Sequence, residues 1–323
     1  MLNFIKSAFI LKTITDYLDT KIKLKIFKIN KALLEKLEIN KKDFIKFYSE
    51  KLLNKCDSKH LKGKLIDNNV LEFLDLSKVI IKDDDYILNL SDNKIENLKP
   101  FEKGAFLYKY DFLYLSNNLI SNIESLEKND FKDLLRLILS NNKIRDINVL
   151  ERAKLNKLKA LNLSNNEISD ISVLEKANLY ELEELYLHGN KILDILVLKS
   201  VKFKKLFILD LSKNKISDIT VFKNLNNLRH LKHLNLSKNE ITNISVFTHW
   251  IENYYNLESQ DLGSESDGVK MPVKILGQLE ILDLSQNKFI FNYDYKKITI
   301  KEEILGLVND RTILILDDNK YKI

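Results

Sequence analysis

From residue 88 onward the chain repeats one arrangement of apolar and polar positions. The phrase LxLxxNxI occurs as LNLSDNKI (88–95), LYLSNNLI (113–120), LILSNNKI (137–144), LNLSNNEI (161–168), LYLHGNKI (185–192), LDLSKNKI (209–216) and LNLSKNEI (234–241), and again as LDLSQNKF (282–289) and LILDDNKY (314–321). Its Asn falls at 93, 118, 142, 166, 190, 214, 239, 287 and 319, a period of 24 or 25 residues that breaks near the end. Alternation in LxL predicts a short strand with both Leu side chains facing inward and the residue between them facing out. The second half of each copy, as in ISDISVLEKANLYEL, places Ile168, Ile171, Leu174, Leu179 and Leu182 at spacings of 3 to 5. That spacing predicts one or two turns of α- or 3₁₀-helix. Each copy thus reads as strand, turn, short helix and return.

A single copy buries too few apolar side chains to offset the entropy of ordering two dozen residues, so copies must stack. Stacking pairs each strand with its neighbours in one parallel sheet of about ten coils, with strands ~4.8 Å apart. The fixed Asn suits a buried position where the strand ends, because its amide can both donate to and accept from freed backbone groups. Two irregular segments are expected to be degenerate coils: LEFLDLSKV (71–79), a shortened first coil, and NLESQDLGSES (256–266), with Glu265 in the place of the Asn. Gly and Pro gather in ESQDLGSESDGVKMPVKILGQ (258–278), which reads as a protruding loop.

The phrases LxxLxLxxNxI and NxISDISVL resemble leucine-rich repeats of the short class found in internalins and in the leucine-rich regulatory subunit of protein phosphatase 1. The resemblance spans residues 71–323. It implies an α/β solenoid, a leucine-rich-repeat arc with a concave parallel β-sheet. It also implies protein binding rather than catalysis, since that fold is mostly a protein-binding one.

In such an arc the varying positions on the concave face carry specificity. The residue before the first Leu reads Ile87, Phe112, Arg136, Ala160, Glu184, Ile208, His233, Ile281 and Ile313 down the coils, and the residue between the two Leu reads Asn89, Tyr114, Ile138, Asn162, Tyr186, Asp210, Asn235, Asp283 and Ile315. A third column is nearly constant Ser, broken by His188 and Asp317. Phe112, Tyr114 and Ile138 form one expected cluster, and Tyr186, His188 and Ile208 another. With Arg136, Glu184, Asp210 and His233 around them, they have the aromatic centre and polar rim of an interface hot spot.

Residues 1–70 lack the repeat and read as three or four short amphipathic helices, with Ile10, Leu11, Ile14, Tyr17 and Leu18 along one face. This segment holds sixteen Lys and eight acids, a charge of +8 that leaves −2 for the rest of a chain whose total is +6. Its Lys-only basicity reads as a solvated face rather than a nucleic-acid site. The segment reads either as a cap over the open end of the solenoid or as a docking element. ILKTITDYLDTKIKLKIFKINKALLEKL (10–37) is similar to the F-box pattern, although no Leu-Pro opens it and Leu33 stands where the family has Trp. That similarity implies that Ile10, Leu11, Ile14, Leu18, Leu24 and Leu33 dock on the adaptor of a cullin-type ubiquitin ligase while the arc holds a substrate. The other implication is a free-standing scaffold or a phosphatase-regulatory-like subunit.

Composition narrows the setting. One cysteine, Cys56, allows no intrachain disulfide, which suggests an intracellular protein, cytoplasmic or nuclear. No apolar run approaches the roughly 18–20 residues that span a bilayer, so no membrane partner is expected. Sequons at Asn89, Asn162 and Asn235 lie inside the repeated phrase and read as its by-products, and a fourth is at Asn243. His230 and His233 have no acid or Cys at metal-ligand spacing, and with seven Gly in 323 residues tight catalytic turns are scarce. The chain therefore reads as a non-enzyme without cofactor or metal.

Overall fold

A computed structural model describes Ser49 and residues 61–64, 66–73, 86–103, 110–224, 228–243, 279–288, 313–316 and 319–322. The F-box-like residues Ile10, Leu11, Ile14, Leu18, Leu24 and Leu33 lie outside this set. Each LxL phrase forms a three-residue strand, from β1 (Ile87–Asn89) and β2 (Phe112–Tyr114) through β3 (Arg136–Ile138), β4 (Ala160–Asn162), β5 (Glu184–Tyr186), β6 (Ile208–Asp210) and β7 (His233–Asn235) to β8 (Ile281–Asp283). β9 (Ile313–Leu316) and β10 (Asn319–Lys322) complete a ten-stranded sheet in chain order. Strands β1 to β9 run parallel, each in register with the next, so that Leu88, Leu113, Leu137, Leu161, Leu185, Leu209, Leu234 and Leu282 line up at its centre. The fold is an α/β solenoid with leucine-rich repeats.

Both Leu of every described LxL phrase from 88 to 284 are buried. Opposite the sheet, the chain returns through short 3₁₀ turns at Glu124–Lys128, Asn148–Glu151, Ser172–Glu175, Leu196–Lys199 and Thr220–Asn224. An acid two residues before each of the last four starts the turn, because Asp146, Asp170, Asp194 and Asp218 accept from the backbone N–H of Asn148, Ser172, Leu196 and Thr220 at 2.7–2.8 Å. Between sheet and turns the core is filled by Leu, Ile and Val, with Phe101, Phe131, Phe203 and Phe222 fully buried.

The recurring Asn welds coil to coil. Asn166 donates from Nδ2 to its own Leu163 carbonyl at 2.9 Å and to Leu139 of the preceding coil at 3.0 Å, while its Oδ1 accepts from Ile144 N–H at 3.0 Å. Asn118, Asn142, Asn190, Asn214 and Asn239 repeat the same three bonds. At the start of the stack Asn93 reaches Leu61 O and accepts from Ile66 N–H, so residues before the first strand already fill the preceding place in the ladder.

Two details differ from the reading of the repeat. Residues 71–73, expected in a shortened coil, belong to an α-helix, Asn68–Phe73, started by Asp67 Oδ1 accepting from Val70 N–H at 3.0 Å. β7 pairs directly with β8, and Asn287 bonds back to Leu236 and Ile241; the coil expected at 256–266 lies outside the described residues. The final phrase makes a hairpin, not a coil: β10 runs antiparallel to β9, which puts Asn319 in a strand opposite Leu316.

Candidate functional site

Strand backbones here present their central Leu to the core and the flanking residues to the concave face. Accordingly Phe112, Tyr114, Arg136, Ile138, Glu184, Tyr186, Ile208, Asp210 and His233 are all half-buried beside buried leucines, and His188 follows β5. Register makes the expected neighbours adjacent: Phe112 lies opposite Arg136, Tyr114 opposite Ile138, Glu184 opposite Ile208, and Tyr186 opposite Asp210. His233 continues the row beside Ile208.

The middle column divides into two kinds of residue. Asn89, Asn162, Asp210, Asn235 and Asp283 each turn Oδ1 back to accept from the backbone N–H two residues on, at 2.9–3.1 Å. These five form Asx turns that end the strand, which also accounts structurally for three of the four sequons. Tyr114, Ile138 and Tyr186 have no side-chain oxygen placed to make that turn, yet their coils have the same backbone. The strand-ending turn therefore does not require these three side chains.

β4 separates the two apolar clusters, and a polar bridge spans it. Arg136 and Glu184 lie two strands apart, roughly 10 Å by strand spacing, yet their side chains meet at 3.3 Å. Between them stands Ala160, whose buried methyl leaves room for the two long side chains to join. Tyr186 Oη donates to the same Glu184 carboxylate at 3.2 Å. Burial, and next the Glu184 charge, push the Tyr186 phenol up to about 12, so it remains a donor at neutral pH.

Coil five departs from its neighbours at successive positions. His188 replaces Ser and Gly189 follows it with φ +67°. Every described coil has a left-handed residue here, namely Asp92, Asn117, Asn141, Asn165, Lys213, Lys238 and Gln286 with φ between 52° and 59°. Asn117 reaches back to Asp92 at 2.6 Å. Asn165 instead leans over the bare Gly189 and contacts His188 Nε2 at 3.2 Å. With the amide donating, Nε2 accepts and the ring proton sits on Nδ1. That atom is shielded from solvent without a hydrogen bond among the described residues, and the Asp210 carboxylate lies 3.5 Å from it. Thus two departures from the Ser and Asn columns, His188 and Asp210, face each other.

Sequence reading missed several features of this surface. The left-handed position is filled by five residue types, so no single letter marks it, though Asp, Asn and Gly are enriched there. Leu193 and Leu196 are 58% and 48% exposed on the outer side of coil five, where coil four has Ser169 and Ser172. Phe207, one residue ahead of β6, was also not singled out. No group of three or more His, Cys, Asp or Glu suited to a metal occurs among the described residues, and no described helix is long and apolar enough to cross a membrane.

Leucine-rich-repeat family models match residues 132–176 and 156–200, and a further single-repeat model matches 227–246. The chain therefore carries leucine-rich repeats, which are in general protein-interaction modules. Among solved structures it is similar to an internalin C2 from Listeria monocytogenes, at 24% identity over 63% of this chain and 87% of that one, with a TM-score of 0.47. It is also similar to a leucine-rich-repeat protein of Leptospira interrogans, at 22% identity over 72% of this chain and 49% of that one, with a TM-score of 0.50. This chain thus spans about half the length of the Leptospira protein, and the likeness is one of fold. No curated protein matches it in sequence.

Proposed function

We propose that the chain is a binding module that takes a protein partner across the concave face from β2 to β7, and that it catalyses no reaction. Phe112, Tyr114, Ile138 and Tyr186 supply the apolar contacts, and Arg136, Glu184, His188, Ile208, Asp210 and His233 surround them. The observation that carries this reading is the split in the middle column: Tyr114, Ile138 and Tyr186 replace Asx-turn residues without any change in backbone. Central aromatic residues with a polar rim are what interface energetics favour. The test is a triple variant, Tyr114→Ala, Ile138→Ser and Tyr186→Ala, compared with the parent in melting and in partner capture from native lysate. Lost capture with unchanged melting is expected. Unchanged capture overturns the reading.

The similarity of residues 10–37 to an F-box supports a narrower role as substrate receptor of a cullin-type ubiquitin ligase, working inside the cell. In that role Ile10, Leu11, Ile14, Leu18, Leu24 and Leu33 hold the adaptor. Pull-down of purified adaptor by the full chain tests it, with Ile14→Asp and Leu18→Asp expected to abolish binding. No binding by the parent chain leaves a free-standing or phosphatase-regulatory-like scaffold, with the N-terminal helices as a cap.

A further inference from the structure

Of the residues just ahead of β1 to β8, Asp111, Lys159, Glu183, Lys232 and Glu280 are charged, as suits the solvated rim of the sheet, whereas Tyr86, Leu135 and Phe207 are apolar or aromatic. Ahead of β6 that place is taken by Phe207, a half-buried ring. Around it opens a cleft of about 480 Å³ lined by Glu183, Lys204, Lys205, Phe207, His230 and Lys232. Its volume falls in the range of small-ligand pockets, roughly 300–1,000 Å³.

We propose that this cleft is a subsite for an acidic side chain of a protein partner. Three ammonium groups and His230 stand against one carboxylate in its lining. Glu183 is itself satisfied by Lys159, outside the cleft, at 3.0 Å. Lys205 and Lys232 pair with Glu181 and Glu280, neither of which lines the cleft. Those pairs are exposed, and exposed ion pairs contribute about 0–1 kcal/mol, so both ammonium groups can turn to an incoming carboxylate at little cost. Lys204 has no ion pair among the described residues and needs no such exchange. Phe207 gives the ligand's methylene stem an apolar floor. Glu183 disfavours a dianion, because a second negative charge in the cleft would face it, and point-charge lysines lack the bidentate fork that arginine offers to phosphate. A carboxylate is therefore the better match.

Glu183, Phe207 and Lys232 immediately precede Glu184, Ile208 and His233, so a chain lying across β5 to β7 could reach the cleft with its next residue. The subsite goes beyond the concave-face reading and does not require it. The test is fluorescence anisotropy of the full-length protein with a labelled Gly/Ser nonapeptide carrying Glu-Phe-Glu at its centre, against the same peptide with Gln-Phe-Gln. The Glu peptide should bind about tenfold more tightly and weaken as salt is raised, as screened charges require. Lys204→Glu with Lys205→Glu should reduce its binding about tenfold, consistent with loss and reversal of charge at a rim contact. Lys143→Glu with Lys176→Glu, an equal charge change elsewhere, and the concave triple variant should leave it unaltered, with melting confirming that all of them fold. Equal binding of the two peptides, no binding of either, or an equal loss in the Lys143/Lys176 control overturns the proposal. So does displacement by inorganic phosphate at lower concentration than by acetate, which would reassign the cleft to phosphate.

Discussion

At position 189 an added Cβ would lie 2.1 Å from Asn165 Oδ1, so even alanine collides there unless the Asn165 amide withdraws from His188. Alanine also meets the left-handed backbone penalty, about 1 kcal/mol or somewhat more. Gly189→Ala should therefore destabilise by about 1–3 kcal/mol in denaturant melts. The same change in an Asn165→Gly background should cost about 1 kcal/mol less, and a coupling indistinguishable from zero would show that the amide makes no difference. The recurring Asn was legible in the sequence because one residue type performs one job from Asn93 to Asn287, and its amide bonds lie where a strand-ending role requires. The left-handed column was not, since Lys213, Lys238 and Gln286 adopt φ values that their side chains do nothing to announce.

The 3₁₀ turns depend on their acids. In Asp170 and Asp218 the hydrogen bond from the backbone N–H two residues on, reinforced by the Ser172 or Thr220 hydroxyl, lowers the carboxyl pKa. A carboxyl whose folded pKa is depressed contributes stability above its unfolded pKa, about 3.9 for Asp, and loses it as pH falls through the folded value. Melts of Asp170→Ala with Asp218→Ala should show lower stability than the parent at pH 7, by about 0.5–1.5 kcal/mol per lost hydrogen bond, and a smaller gap at pH 3. A gap that is constant with pH would mean that the charge plays no part. The phrase ISDISVL announced these turns through its apolar spacing. The helix Asn68–Phe73 was misread because LEFLDLS imitates the repeat, whereas Asp67 ahead of it provides the local start signal that decides the outcome.

At the scale of the molecule, stacking follows from the inability of one coil to bury its leucines alone, and the register follows from the alternation within LxL. The period therefore disclosed the parallel sheet and the order of its columns. It did not disclose that β7 meets β8 directly, because spacing along the chain does not by itself name a strand's partner. Nor could the columns by themselves tell Asp210 from Tyr186: one closes an Asx turn and the other leaves the turn without a side-chain partner. The recognition surface we propose is accordingly narrower than the columns: it centres on β2–β3 and β5–β6, joined by the Arg136–Glu184 bridge over Ala160.

Site-specific photo-crosslinking tests this most directly. Benzoylphenylalanine is placed singly at Tyr114, at Tyr186 and at Tyr180, which is 42% exposed on the return segment ahead of β5, and each chain is irradiated with the partner that the parent captures. Adducts of the same partner at 114 and 186, with none at 180, are the expected result. Adducts at 180 with none at the two concave positions would contradict the account.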